Sequence, residues 1–384
     1  MRVLLAQNMR FLPSHGGANR ANRILMEGLA ARGHRCVAVT PLHATEHRLS
    51  TADLTAYLAG LGVTATDTGD ALVYTHRGVE VHAVLAGPKL PRYLRAVAAE
   101  EEPDRVLVPS DDPGLLMLGT ALRAAPDRVV YLVHTLQQLP FGPRAFYPSE
   151  SGVRLVRRAA AVVAISRAGR DYVRQHAGID ASLIYPPVYG TGPWPRADGG
   201  GAVTMVNPCG FKGLPILLGL ADALPGRRFL AVPTWGTTAA DREQLAARPN
   251  IDVIAPVDDI GTLFARTRVL LMPSLWDETF GYTAVEAMLH GVPVLAADVG
   301  GLGEAKLGVP YLLPVTPITR YEPGTLFPQP VLPPQDPAPW LDALRRLDDP
   351  GHHAEVAAAG RHAARSFVDG LDAEAFPHLL EKCG

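Results

Sequence analysis

Two carboxylates, Glu278 and Glu286, flank the short turn Thr279-Phe280-Gly281-Tyr282-Thr283 inside the segment PSLWDETFGYTAVEAMLHGVPVLAADVGG, residues 273–301. The apolar spacing after Gly281 predicts a helix opening in this turn, with Glu278 on the loop before it and Glu286 one turn into it. The first amides of a helix lack partners within it and lie at its positive dipole end, so the amides of Phe280 to Thr283 offer a phosphate-binding face. A carboxylate on the preceding loop accepts hydrogen bonds from sugar hydroxyls. A carboxylate on the helix takes both hydroxyls of a ribose. The spacing therefore points to a ligand that is phosphorylated and rich in hydroxyls.

Three further groups carry compatible chemistry. VNPCGFKG, residues 206–213, reads as a strand end, a glycine-containing loop and a lysine at a helix start. Lys212 there is a point charge that, with helix-start amides, neutralises phosphate and stabilises a departing phosphorylated group. Asn207 shares the loop and counts with the binding residues. His15-Gly16-Gly17 follows the first apolar strand, where Gly16 and Gly17 let backbone amides approach a phosphate or sugar closely. The spacing is not G-x-G-x-x-G, which argues against a dinucleotide-dependent dehydrogenase. His134 closes the apolar run YLVH and so stands on the ligand-facing rim of a sheet.

These residues need strand ends to hold them, and the sequence supplies two alternating series. In the first, RVLLAQ leads to a loop and a helix with Ile24, Leu25, Met26 and Leu29 inward, closed by Gly33, before HRCVAVT resumes as strand. RVLVPS then precedes a helix over 113–123, RVVYLVH a basic helix around 154–158, and AVVAIS a helix over 168–176 that Ser166 caps. Residues 71–85 predict an inserted hairpin turning at Arg77-Gly78. A Pro- and Gly-dense stretch, 186–201, reads as a linker.

The second series runs AVTMVNP, RRFLAV, IDVIA, RVLLMPS and VPVLAAD, with helices expected from 214, over 240–247, 260–266 and 282–290. Residues 310–339 are Pro-rich, and 340–383 read as two or three helices. Strands alternating with helices imply α/β architecture with two doubly wound, Rossmann-like domains facing across a cleft. The expected division is 1–185, linker 186–201, 202–365, and a C-terminal helix within 366–384 crossing back to the first domain.

Composition narrows the function classes. The 384 residues are 47% hydrophobic and 19% charged, enough apolar material for two cores. A formal net charge of -2 gives no basic field for nucleic acid. The basic helix with Arg154, Arg157 and Arg158 reads as a solvated face. The N-terminal apolar run is shorter than a secretory core and no stretch reaches the roughly 18 apolar residues of a membrane span, so a cytoplasmic protein is expected. Cys36, Cys209 and Cys383 have no C-x-x-C spacing and suggest neither disulfides nor zinc. No Asp-x-Asp triplet occurs, so no metal and no cofactor is expected at the phosphate.

Segment 273–301 resembles, nearly residue for residue, the E-x7-E signature of retaining glycosyltransferase family 4 and its GT-B relatives, with Gly281, Gly291-Val292-Pro293 and Gly300-Gly301 where that family has them. The resemblance implies a metal-independent transferase, of hexosyltransferase type, that moves a sugar from a nucleoside diphosphate sugar to a small-molecule or saccharide acceptor with retention. It implies that Glu278 and the amides of Thr279 to Thr283 hold donor sugar and phosphates, that Glu286 holds the ribose, and that Gly16-Gly17 close over the donor. His134 matches a histidine near the reacting carbon, so His134, Lys212 and Glu278 are the expected catalytic residues. An arginine common in the family is replaced by the Asn207-Pro208 stretch, leaving Lys212 as the expected cation. Trp235 and Val257-Asp258-Asp259 fall where such enzymes hold the base. Acceptor choice would fall to loops 8–18, 42–70 and 135–150. Two alternatives stay open: a nucleotide-sugar epimerase of the same fold, and a non-catalytic nucleotide-sugar-binding subunit.

Overall fold

The computed structural model describes residues 1–14, 16–43, 49–197, 201–324 and 328–383. His15 lies outside the described residues, as do 44–48 in the loop expected over 42–70 and 198–200 in the expected linker. The chain divides into two compact units, Met1–Val188 with Asp372–Gly384, and Tyr189–Leu371.

In the first unit the short apolar runs form β1 (Arg2–Ala6), β2 (Arg35–Pro41), β3 (Ala65–Asp67), β4 (Ala71–His76), β5 (Val79–Val84), β6 (Arg105–Pro109), β7 (Val129–Val133), β8 (Ala161–Ala164) and β9 (Ser182–Leu183). They make one sheet in the order β3-β4-β5-β2-β1-β6-β7-β8-β9. From β5 to β9 every pairing is parallel, and only the hairpin strand β4 runs against its neighbours. Arg77 and Gly78 make the hairpin turn, both at positive φ, as a two-residue turn of the right-handed twist requires.

The central strands β1, β2, β6, β7 and β8 are apolar on both faces, whereas β5 alternates with half-buried Glu80 and His82. Leu4, Val37, Val106 and Tyr131 pack on one side, and Val3, Leu5, Cys36, Leu107 and Leu132 on the other. The covering helices are α1 (Gly17–Ala31), α2 (Thr51–Gly60), α3 (Leu90–Glu101), α4 (Leu116–Ala124), α5 (Glu150–Val156) and α6 (Arg167–Ala177). Of the residues expected inward on α1, Met26 and Leu29 are buried, whereas Ile24 and Leu25 are half-buried. The buried stripe is instead Asn22, Met26 and Leu29, one helical face. The stretch 42–70, expected as loop, contains α2, fixed by reciprocal capping between Ser50 and Asp53. α4 starts at Leu116 and not at 113 because Asp112 accepts from Gly114 N (3.1 Å) and Met117 N (2.8 Å), holding the intervening residues as a turn.

The second unit holds β10 (Ala202–Val206), β11 (Phe229–Val232), β12 (Ile251–Val253), β13 (Thr267–Met272), β14 (Val294–Ala297) and β15 (Leu312–Leu313) in the order β12-β11-β10-β13-β14-β15, all parallel. Its helices are α7 (Leu214–Ala223), α8 (Ala239–Ala246), α9 (Ile260–Phe264), α10 (Tyr282–Leu289), α11 (Leu302–Ala305), α12 (Ala338–Arg346) and α13 (Pro350–Asp369). The Pro-rich stretch adds a small antiparallel pair, β16 (Tyr321–Glu322) with β17 (Gln329–Pro330). Residues 194–197 of the expected linker are pinned to this unit: Arg361 donates to Trp194 O, His290 Nδ1 contacts Pro195 O, and Ala197 N donates to His290 O, each at 2.8 Å.

The expected boundary at 366 falls inside α13, and the last helix, α14 (Ala375–Lys382), belongs to the first unit, where Phe376 and Leu380 join the core beside β1. No helix among the described residues is long and apolar enough to cross a membrane. Each sheet reverses strand order about its first strand, β1 between β2 and β6 and β10 between β11 and β13. Such reversals splay the loops that follow and open a crevice at the strand ends.

Candidate active site

In the second unit the loops after β10 and β13 meet at the reversal point. Leu275 N donates to Phe211 O (2.9 Å), tying one loop to the other. Gly213 makes the approach possible: its φ is +86°, and a Cβ there would stand 1.9 Å from Pro273 O. This closeness brings Lys212 to Glu278.

The Lys212 ammonium pairs with Glu278 Oε1. The same oxygen accepts from Ser274 Oγ (2.5 Å) and Trp276 Nε1 (3.1 Å). Oε2 has no hydrogen-bond partner among the described residues. Burial pushes the Glu278 carboxyl up, but the Lys212 charge and the three donors outweigh it and hold the group below the usual carboxylate range. Lys212 Nζ also lies 5.0 Å from the Trp276 ring centroid and 6.0 Å from that of Trp235, and Phe211 packs on Trp276 at 4.9 Å. The cation is thus held between aromatic faces and one carboxylate oxygen.

The turn after Glu278 is fixed from behind. Gly301 N donates to Glu278 O (2.6 Å), and Cβ atoms at Gly300 and Gly301 would fall 2.3 and 2.2 Å from the carbonyl oxygens of Glu278 and Thr279. Thr279, Phe280 and Tyr282 are buried, with Phe280 against Tyr282 (5.7 Å) and Phe367 (5.9 Å), so these side chains build the turn while its backbone opens α10. Gly281 caps α10 without a side chain, Thr283 lies half-buried in the first turn, and Glu286 is buried one turn later.

Asn207, expected among the binding residues, braces a neighbouring turn. Its Oδ1 accepts from Gly236 N (3.0 Å) and Thr237 Oγ1 (3.4 Å), bracing the turn that carries Trp235, and its Nδ2 is buried without a partner among the described residues. The left-handed backbone at Asn207, φ 59°, turns the side chain toward that neighbour.

In the first unit His134 follows β7 and is buried, its N and that of Thr135 both donating to Ser110 Oγ (2.9 and 3.1 Å). Burial pushes its imidazole down to about 4. Gly16 caps α1 and Gly17 begins it, exposed. Cys36 and Cys209 are buried thiols pushed up to about 11 and about 12, which leaves them protonated and inert.

Two family models match: Glycosyltransferase Family 4 over residues 15–189 and Glycosyl transferases group 1 over residues 226–347. Across 95% of the chain and 94% of the other, the fold matches sucrose-phosphate synthase of Thermosynechococcus elongatus with a TM-score of 0.68 at 18% identity. HepE of Anabaena in complex with UDP-glucose matches with a TM-score of 0.66 at 18% identity, covering 100% of this chain and 98% of that one. The chain belongs to the glycosyltransferases of the GT-B fold.

Among curated relatives, the D-inositol 3-phosphate glycosyltransferase of Streptomyces avermitilis is 37% identical over 129 residues, 32% of this chain and 24% of that protein. An uncharacterized 42.6 kDa protein in the cps region of Klebsiella pneumoniae is 31% identical over 101 residues, 26% of each. These matches span about a quarter of the relatives' own length.

Sequence reasoning on this glycosyltransferase missed Ser274 and Trp276. Their signal is the two-residue spacing Ser274, Trp276, Glu278, which in an extended segment puts three side chains on one side. Asn22, which meets His134, was hidden because an asparagine within a helix reads as surface.

Proposed function

We propose that this protein transfers a sugar from a nucleoside diphosphate sugar to a small-molecule or saccharide acceptor, with retention at the anomeric carbon and without a metal at the diphosphate. One observation carries the reading: Glu278 has one oxygen saturated by Lys212, Ser274 and Trp276 and the other without a partner among the described residues. An oriented carboxylate with a spare oxygen suits sugar hydroxyls. Lys212 has three N–H donors and gives one to Glu278, which leaves two for phosphate oxygens. The start of α10 adds amides, and Glu286 within it serves the ribose.

In the step itself the bond from the anomeric carbon to the diphosphate oxygen breaks, the bond to the acceptor atom forms on the same face, and the acceptor's proton passes to the diphosphate oxygen. Lys212 and the α10 amides stabilise the charge that develops on the departing nucleotide. His134, neutral at ordinary pH, serves the donor sugar as a hydrogen-bond partner. UDP-glucose is the donor to try first, because HepE was solved with it.

The test is phosphorus NMR of the purified protein with a panel of nucleoside diphosphate sugars and candidate acceptors. Transfer or slow hydrolysis releases the nucleoside diphosphate, whereas an epimerase changes the sugar with the diphosphate ester intact. Unchanged turnover in Glu278→Ala would refute the assignment of that residue. A product of inverted configuration would refute retention.

A further inference from the structure

Around His134 the first unit contains a second ordered arrangement that the transfer step as described does not use. Gln7, directly after β1, is fully buried, and its Nε2 donates to Met9 O (2.7 Å) and Arg10 O (3.3 Å). Backbone carbonyls only accept, so these contacts fix which end of the Gln7 amide is nitrogen. Gln7 Oε1 must then accept, and it does, from Asn22 Nδ2 (3.1 Å). That orients the Asn22 amide in turn and leaves Asn22 Oδ1 facing His134 Nε2 at 2.8 Å. An amide oxygen only accepts, so Nε2 carries the proton. In a neutral imidazole the other nitrogen, Nδ1, is then a bare lone pair.

Nδ1 is buried and has no hydrogen-bond partner among the described residues. A buried acceptor without a partner is costly, and such groups in a folded protein call for an explanation. Asn22 adds to the case: a polar amide on the buried stripe of α1, 1% exposed, occupies a place where Leu or Ala would pack without cost. The strand end is held as well, since Ser110 Oγ takes the amides of His134 and Thr135.

We infer that Gln7 and Asn22 are positioning residues that hold His134 as the Nε2–H tautomer, so that Nδ1 is the atom that accepts a hydrogen bond from a hydroxyl of the sugar substrate. The identity of the ligand rests on the proposed function; the tautomer rests on the hydrogen-bonded series alone. Burial keeps the imidazole neutral, so the selection holds across ordinary pH.

The test is long-range proton–nitrogen NMR of the histidine-labelled full chain, with the His134 ring signals assigned by their absence in His134→Gln. Wild-type protein should show a protonated Nε2 and a bare Nδ1. Asn22→Leu, which removes the acceptor, should lose that signature and lower kcat roughly tenfold or more, with nucleotide affinity kept. Wild-type His134 protonated at Nδ1 overturns the inference without any variant, and so does an unchanged signature in Asn22→Leu. An unchanged kcat in a variant that has lost the signature overturns the role in transfer. If no sugar nucleotide is ever turned over while the signature is as stated, the proposed function fails and the tautomer selection stands.

Discussion

The Lys212 ammonium and the Glu278 carboxylate meet through a single oxygen, Oε1, although 66 residues separate them in sequence. Neither is fully buried, the side chains being 20% and 14% exposed, so the pair contributes modestly to stability and mainly fixes geometry. Lys212→Ala should therefore lower transfer by about 100-fold or more while costing the fold only about 1–2 kcal/mol, checked by kcat/KM and by urea unfolding.

The same pair predicts an acid dependence. The Glu278 carboxyl lies below its unfolded value, so it contributes stability above about pH 4.3 that is lost as pH falls through its folded value. The melting temperature of wild type should exceed that of Glu278→Gln near neutrality, and the gap should narrow as the pH falls below the ordinary carboxylate range.

Gly213 lets the two loops touch, and a Cβ at that position would overlap Pro273 O at 1.9 Å. Gly213→Ala should move Lys212 away from Glu278, destabilise the protein by about 2 kcal/mol or more, and weaken nucleotide binding. Paired melting and binding titrations check this, and equal affinity in the variant would count against the loop contact.

Asn207 braces the turn of Trp235. Asn207→Ala should leave the core intact at a cost of about 1–2 kcal/mol and change the environment of that indole, read as tryptophan fluorescence with and without nucleotide.

Lys306 is 1% exposed and donates to Val294 O (2.5 Å), and burial pushes its ammonium down to about 7. Between that value and the higher one of an unfolded lysine, the unfolded chain binds more protons, so stability rises with pH through this window. Lys306→Met should stabilise the protein at neutral pH, by about 1–3 kcal/mol, and gain much less near pH 10, as melting curves at both values would show.

The central strands of both sheets were legible because each is a short apolar run bounded by Gly, Pro or a polar turn, and the hairpin at Arg77-Gly78 declared itself by its turn residues, whereas β3, β16 and β17 carry no apolar run. α2 was overlooked although Ser50 and Asp53 stand at capping-box spacing, because its buried face is only Leu54 and Leu58, one turn of stripe. The residues that orient Glu278 were partly readable from the alternation of Ser274, Trp276 and Glu278. The bracing role of Asn207, the burial of Lys306 and the link from Gln7 through Asn22 to His134 depend on pairing across strands and helices far apart in sequence. No local pattern encodes such contacts.

The central claim is that the turn between Glu278 and Glu286 binds a nucleoside diphosphate, and thermal stabilisation across UDP, GDP, dTDP, ADP and NAD tests it most directly, because a ligand that binds only the folded state raises the melting temperature. A shift with one nucleoside diphosphate, lost in Glu286→Ala, is the predicted result. A shift with NAD alone, or no shift with any of them, would contradict it.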